Sequence, residues 1–203
     1  TSMEHRSYMG RRALASILIM IISFTSESFA NSSSENLDNA VESSIVVVDT
    51  IAHDSNSFTQ GLEYYNGTLL ESSGLYGSSS IRQVNPANGE IIRSLQINES
   101  LFAEGITVKG DSIIMLTWKE ELALEIDIED FRIIGNYTYQ GEGWGICFNG
   151  DHFVTSNGSS VLSYRDQQTF ETNYSVNITW DGELVQNLNE LECVNDKIYA
   201  NIW

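Results

Sequence analysis

The sequence predicts an all-β protein built from repeated four-stranded sheets arranged around an axis. Three observations carry this. Four stretches superpose without gaps, starting at Gln60, Glu104, Trp144 and Asn189, at intervals of 44, 40 and 45 residues. Each has an apolar residue two places in (Leu62, Ile106, Ile146, Leu191) and a second seven places later (Leu69, Ile113, Phe153, Ile198). Between the two anchors stands a turn signal: Asn66-Gly67, Gly110-Asp111, Asn149-Gly150 or Asn195-Asp196. A period of this length, with short alternating strands and Gly/Asn turns, marks the blades of a β-propeller. The apolar frame repeats while the first residue of each unit does not, so Gln, Glu, Trp and Asn occupy one structural position.

The sequence opens at Thr1, with Met3 and Met9 as candidate starts further in. His5, Arg6, Arg11 and Arg12 form a basic region before the apolar run Ala13 to Phe24, and Ser28-Phe29-Ala30 offers a small-x-small cleavage site. Residues 1–30 therefore read as a secretory signal peptide. The alternative is a retained signal-anchor in the endoplasmic reticulum, although a spanning helix needs roughly 20 apolar residues. Residues 31–44, rich in Ser, Asn and Glu, read as a disordered lead-in. Ile45 to Ile51 is a β-branched run, expected as a buried strand that aligns with the fourth strand of the other units.

Each repeat adds two further strands to its core pair. After Gln60 come Ile81–Val84 and Ile91–Ile97, joined by a turn at Pro86 to Gly89. After Glu104 come Leu122–Ile126 and Ile133–Tyr139, and after Trp144 come Val161–Tyr164 and Asn173–Ile178. Residues 45–203 thus predict three complete blades, the first two strands of a fourth, and a closing N-terminal strand. Three and a half blades leave unpaired edges. The expectation is a sequence lacking about one and a half repeats, on the order of 60 residues, at its C-terminus.

Beyond residue 30, 26 acidic residues stand against seven basic ones, within a net charge of −18 for the chain. That balance disfavours nucleic acid and anionic membrane as partners and suits cationic ligands. Seven Asn-x-Ser/Thr sequons, at Asn31, Asn66, Asn98, Asn136, Asn157, Asn173 and Asn177, fit a glycosylated secretory-pathway protein. Cys147 and Cys193 suit either a disulfide or two small buried apolar groups.

In a propeller, the start of each first strand and the end of each second strand share one mouth. The first set is Phe58, Gln60, Glu104, Trp144 and Asn189; the second is Gly74, Trp118, Gly158 and Trp203. Three of the four tryptophans reach this mouth, and Trp180 is expected in a loop. An aromatic wall with few polar groups is a common form of small-ligand site. Glu104 among tryptophans loses hydration, which raises its pKa toward neutrality. Gln60 and Asn189 donate and accept hydrogen bonds without charge, as needed to hold an amide. His53 and His152 belong to no visible triad, no Cys/His metal spacing occurs, and no phosphate loop is present.

These residues resemble a known family. The motifs FTQGLEY at 58–64, SGLYG at 73–77, EGI at 104–106, LTWKE at 116–120, GEGWG at 141–145, LNELE at 188–192 and YANIW at 199–203 are similar to the plant-type glutaminyl cyclases. The resemblance covers about residues 45–203. It implies a five-bladed β-propeller that converts an N-terminal glutamine to pyroglutamate with release of ammonia, unrelated to the zinc-dependent animal-type enzyme. It implies Glu104 as the proton-transferring carboxyl and Phe58, Gln60, Trp118, Trp144, Asn189 and Trp203 around the substrate; a family lysine falls beyond Trp203. Asn157 replaces an Asp common in the family and creates a sequon near the mouth, and Cys193 replaces a commonly aromatic residue. No cofactor is expected, a structural calcium in the channel is left open, the expected partners are peptides or proteins with N-terminal glutamine, and the expected state is a monomer. The expected compartment is extracellular or vacuolar. The competing readings are a non-catalytic propeller binding peptides or glycans through its tryptophans, and a metal-dependent lactonase-like propeller. The latter has only Glu104 and Asn189 at the required level.

Overall fold

The computed structural model describes residues 21–23, 37–43 and 46–203, and among them every regular element is a strand. Three short strands come first: β1 (Ile21–Ser23), β2 (Leu37–Asn39) and β3 (Val41–Ser43). Then β4 (Thr59–Tyr65), β5 (Thr68–Ser73), β6 (Ser80–Val84) and β7 (Ile91–Gln96) form one antiparallel sheet in chain order. The next sheet repeats that order with β8 (Ala103–Lys109), β9 (Ser112–Thr117), β10 (Leu122–Asp127) and β11 (Arg132–Thr138). The third holds β12 (Ile146–Phe148), β13 (His152–Thr155), β14 (Val161–Asp166), β15 (Thr172–Trp180) and β16 (Glu183–Leu184). In the fourth, β17 (Leu188–Val194) pairs with β18 (Lys197–Ile202).

Each first hairpin turns where the sequence signals it. Asn66 (φ 46°) and Gly67 (φ 81°) both occupy the left-handed region, the pairing that a two-residue turn between twisted strands requires. The sheets then stack through apolar layers. β9 shows why its Ile113–Leu116 stretch is continuously apolar rather than alternating. Ile113 and Met115 pack with Leu70, Ile81 and Ile106 toward the first sheet. Ile114 and Leu116 pack with Ile146, Phe153 and Phe170 toward the third. A strand covered on both faces has no polar side to show, and each such fully buried side chain contributes roughly 1.5–3 kcal/mol. Between the third and fourth sheets lie Val154, Leu162, Ile178, Leu191 and Ile198. There Cys147 of β12 and Cys193 of β17 form a disulfide, with Cα atoms 5.4 Å apart. The first strands are the innermost: β4 packs on β8, β8 on β12, β12 on β17, and β17 reaches back to β4.

Three expectations are corrected at the edges. Residues 46–51 form no strand, and Val46, Val47 and Val48 are 80%, 73% and 93% exposed; a β-branched run is buried only where sheets cover it, and none does here. Residues 37–43 are not a disordered lead-in. β2 pairs parallel with β15, β3 with β1, and β1 with β18, while Ala40 is buried in the layer beside Ile178. The ladder edges of β15 and β1 supply the hydrogen-bond partners that this polar segment lacks by itself. Trp180 is not in a loop but ends β15, because Asp181-Gly182, both with positive φ, turns the chain into β16. The expected leader and Asn31 lie outside the described residues, apart from Ile21–Ser23. No helix among the described residues is long and apolar enough to cross a membrane.

Candidate active site

The innermost strands break register where the repeats begin. The ladder skips between Thr59 and Gly61 in β4, between Ala103 and Ile106 in β8, and between Leu188 and Leu191 in β17. Gln60, Glu104 and Asn189 sit inside these breaks, which re-aim side chains out of the normal alternation. Trp144 stands two residues before β12, and its carbonyl accepts the Gly105 N–H at 2.7 Å. Serines on or just past the second strands lock neighbouring sheets together at the same level. Ser72 Oγ donates to the Glu104 carbonyl and Ser156 Oγ to the Asn189 carbonyl, each at 2.6 Å.

Seven of the nine residues expected at the mouth line one cavity of about 300 Å³, namely Glu104 with Phe58, Gln60, Trp118, Trp144, Asn189 and Trp203. Phe102 completes the wall. Its ring stands 6.4 Å from Phe58, 5.4 Å from Tyr76 and 5.5 Å from Trp118, centroid to centroid. The two mouth glycines are explained by these rings. A Cβ on Gly74 would run into the Phe102 ring, and one on Gly158 would lie 2.6 Å from the Trp144 indole. The inner glycines have a different cause. A Cβ on Gly61 would sit 2.6 Å from the Ile106 nitrogen, and one on Gly105 at the same distance from the Trp144 carbonyl oxygen. At these two glycines the neighbouring first strand approaches too closely for a side chain.

Glu104 is buried on the floor of the cavity, 5% exposed, and its Oε1 accepts a hydrogen bond from Gln60 Nε2 at 3.1 Å. Burial pushes its pKa up to about 8, the Gln60 donor opposes this, and the charges of Glu142 and Glu120 add to the rise. At the rim, Glu120 accepts from the Tyr76 hydroxyl at 2.7 Å and the Phe102 N–H at 3.3 Å. Glu142 Oε2 accepts from the Trp118 and Trp144 indoles.

Behind the cavity, buried Glu71 gathers Ser57, Thr59, His53 and Arg82 at 2.6, 2.5, 2.8 and 2.8 Å. It thereby anchors the segment that carries Phe58 and Gln60. His53 thus belongs to this support and not to the mouth, while His152 packs against Tyr164 and Tyr174. Glu190 fills the inner position that is glycine in the other three repeats. Its carboxylate is sealed from solvent without a well-formed hydrogen bond, and burial raises its pKa well above the carboxylate range. Nearby, burial and the Glu192 charge bring Glu63 to about 7. Among the described residues, no group of three or more His, Cys, Asp or Glu side chains is placed to hold a metal ion. Asn157 is exposed at the rim, its Oδ1 accepting from the Ser159 N–H and hydroxyl.

Phe102 and Glu142 escaped the sequence reading because the repeats were aligned from their first strands. Two residues upstream, the same alignment gives Phe58, Phe102, Glu142 and Asn187, a second set of side chains at mouth level.

The model of the family described as glutamine cyclotransferase matches residues 17–203. The chain belongs to the glutamine cyclotransferase family. Among its relatives is the glutaminyl-peptide cyclotransferase of Arabidopsis thaliana, 31% identical over 189 residues, which cover 92% of this chain and 59% of that protein. The chain thus spans 59% of this family member's length. The crystal structure of Myxococcus xanthus glutaminyl cyclase matches with a TM-score of 0.73 and 29% identity, over 84% of this chain and 70% of that one. The WD40 repeats of RRP9 match with a TM-score of 0.52 at 8% identity, over 70% and 44% of the two chains, a likeness of fold alone.

Proposed function

We propose that this chain carries the catalytic cup of a glutaminyl-peptide cyclotransferase, which closes an N-terminal glutamine into pyroglutamate and releases ammonia. The observation that carries the proposal is the burial of Glu104, held by Gln60, in an aromatic cavity that gives it a pKa of about 8.

The substrate's α-amine must be neutral to react, and with an ordinary pKa of about 7.7–8.0 a useful fraction is free near neutrality. The indoles and phenylalanines fold the glutamine side chain back so that the amine meets Cδ, an intramolecular approach with a large proximity advantage. The N–Cδ bond forms as the amine gives a proton to the Glu104 carboxylate. Glu104 returns that proton to the side-chain nitrogen, the Cδ–Nε bond breaks, and ammonia leaves. A pKa close to the working pH suits a group that must both take and give the proton. Gln60 and Asn189 orient the amide and stabilise its oxygen as charge develops.

The four sheets are read as blades of a five-bladed β-propeller, a reading supported by the repeat and by the packing of the first strands on one another. The same proposal includes a monomer acting on peptides or proteins with N-terminal glutamine, passage through the secretory pathway, with a signal-anchor in the endoplasmic reticulum as alternative, and glycans at Asn66, Asn98, Asn136, Asn173 and Asn177.

The test is ammonia release from a glutaminyl dipeptide by the full-length protein. Release is expected from the free dipeptide and not from its N-acetylated form, whose nitrogen cannot attack. Binding of the free dipeptide without ammonia release would replace the enzyme with a binding module.

A further inference from the structure

We infer that Glu142 is a positioning residue that sets the relative placement of the Trp118 and Trp144 rings. Its Oε2 accepts the Trp118 indole N–H at 2.9 Å and the Trp144 indole N–H at 3.0 Å. The two indoles come from different sheets: Trp118 follows β9, and Trp144 precedes β12. One carboxylate oxygen therefore ties two walls of the cavity that share no other hydrogen bond between their rings. A buried indole N–H seeks an acceptor, and an ionised acceptor bonds about twice as strongly as a neutral one.

The surroundings keep this carboxylate charged and in place. The bonds from Trp144 and Trp118, with the Lys119 ammonium, hold its pKa below the usual carboxylate value. Lys119 Nζ stands 3.6 Å from the other oxygen and 3.7 Å from the centre of the Trp118 ring. The backbone of this loop is pinned independently of the side chain. Gly143 donates to the Trp118 carbonyl at 2.9 Å and Gly141 to Glu121 Oε1 at 2.9 Å. Removing the carboxylate therefore frees the rings without releasing the loop.

As a statement about catalysis, this inference rests on the cyclisation proposed above, so the experiment reads the rings and the reaction separately. Glu142→Ala and Glu142→Gln are compared with the wild-type full-length protein for ammonia release from a glutaminyl dipeptide, for tryptophan emission and for acrylamide quenching. Since misplacement by about 1 Å can cost about 100-fold, Glu142→Ala is expected to lower kcat by about 10- to 100-fold. Its indole emission is expected to shift and its quenching to rise. Glu142→Gln is expected to recover most of kcat and the wild-type emission, because the amide oxygen still accepts both N–H groups. It also removes a like charge from the surroundings of Glu104, leaving Glu120 and the buried Glu190 as the other nearby carboxyls, so the acid limb of kcat/KM moves to lower pH. A Glu142→Gln variant as impaired as Glu142→Ala, or a Glu142→Ala variant with wild-type kcat, overturns the inference. If the wild-type protein releases no ammonia, the proposed activity fails, and the emission of the two variants still decides the tie between the rings.

Discussion

Replacing Glu104 by Gln should make the protein more stable and nearly inactive, and both effects follow from the burial of one carboxyl. Its pKa stands at about 8 in the fold, against 4.5 for the free side chain. The folded state therefore holds a proton that the unfolded chain releases, and stability contributed by this site is complete below about pH 4.5 and is lost as pH rises toward 8. At pH 7 the linkage relation gives a cost on the order of 3 kcal/mol, and at pH 5 about 1 kcal/mol. Gln carries no such cost, and its Oε1 still accepts from Gln60. With a shift of about 2–4 °C per kcal/mol for a chain of this size, Glu104→Gln should melt about 6–12 °C above wild type at pH 7. The difference should shrink to a few degrees at pH 5. Without the proton carrier, ammonia release should fall by roughly 10²–10⁴. The assay is a pair of melting series from pH 5 to 8 beside initial rates on a glutaminyl dipeptide. Equal melting temperatures across that range would refute the buried, proton-holding carboxyl, and a rate within twofold of wild type would refute its role as carrier.

Glu71→Ala leaves buried Arg82 paired with Asp54 alone and should cost about 1–3 kcal/mol, seen as a lower urea midpoint. Because Ser57 and Thr59 lose their shared acceptor, KM should rise more than kcat falls. In the wild type, burial works against Glu71 ionising, but the bonds from Ser57, Thr59 and His53 and the Arg82 charge outweigh it and lower its pKa. Its contribution should therefore disappear on acidification below about pH 4.5, which a titration of Arg82-dependent stability would register. Gly145→Ala would press a methyl into the Asn189 carbonyl and to 2.7 Å from the Glu190 Cα, an overpacking expected to cost about 1–3 kcal/mol and measurable by denaturant unfolding. Cys147→Ser opens a loop closed over 46 residues and should cost about 4 kcal/mol in the chain-entropy account. A reductant should then lower the melting temperature of wild type and leave the variant unchanged.

The ring of first strands was legible because its apolar anchors and turn signals recur at a nearly constant period, and the side chains they deliver share one cavity. What stayed hidden depended on contacts between repeats. Glu142 looks like any surface glutamate until two indoles from different sheets are seen to converge on it. Phe102 looks like a core residue until Gly74 of the preceding sheet is seen to make room for it. The Asp181-Gly182 turn is a signal in the sequence, and it is this turn that keeps Trp180 on a strand. The run at 45–51 was misjudged for another reason: a β-branched composition reports an affinity for sheet, not the presence of a neighbouring strand to receive it.

The bare backbone at Gly61, Gly105 and Gly145 makes the interior of the ring a bearing surface of peptide against peptide. The cavity-lining side chains are mounted one residue outside that surface, so their identity is free to change while their mounting is not. A scaffold of this kind lends itself to regrafting: exchanging Gln60, Trp144 or Asn189 for other side chains should yield new cups of the same depth on an undisturbed frame.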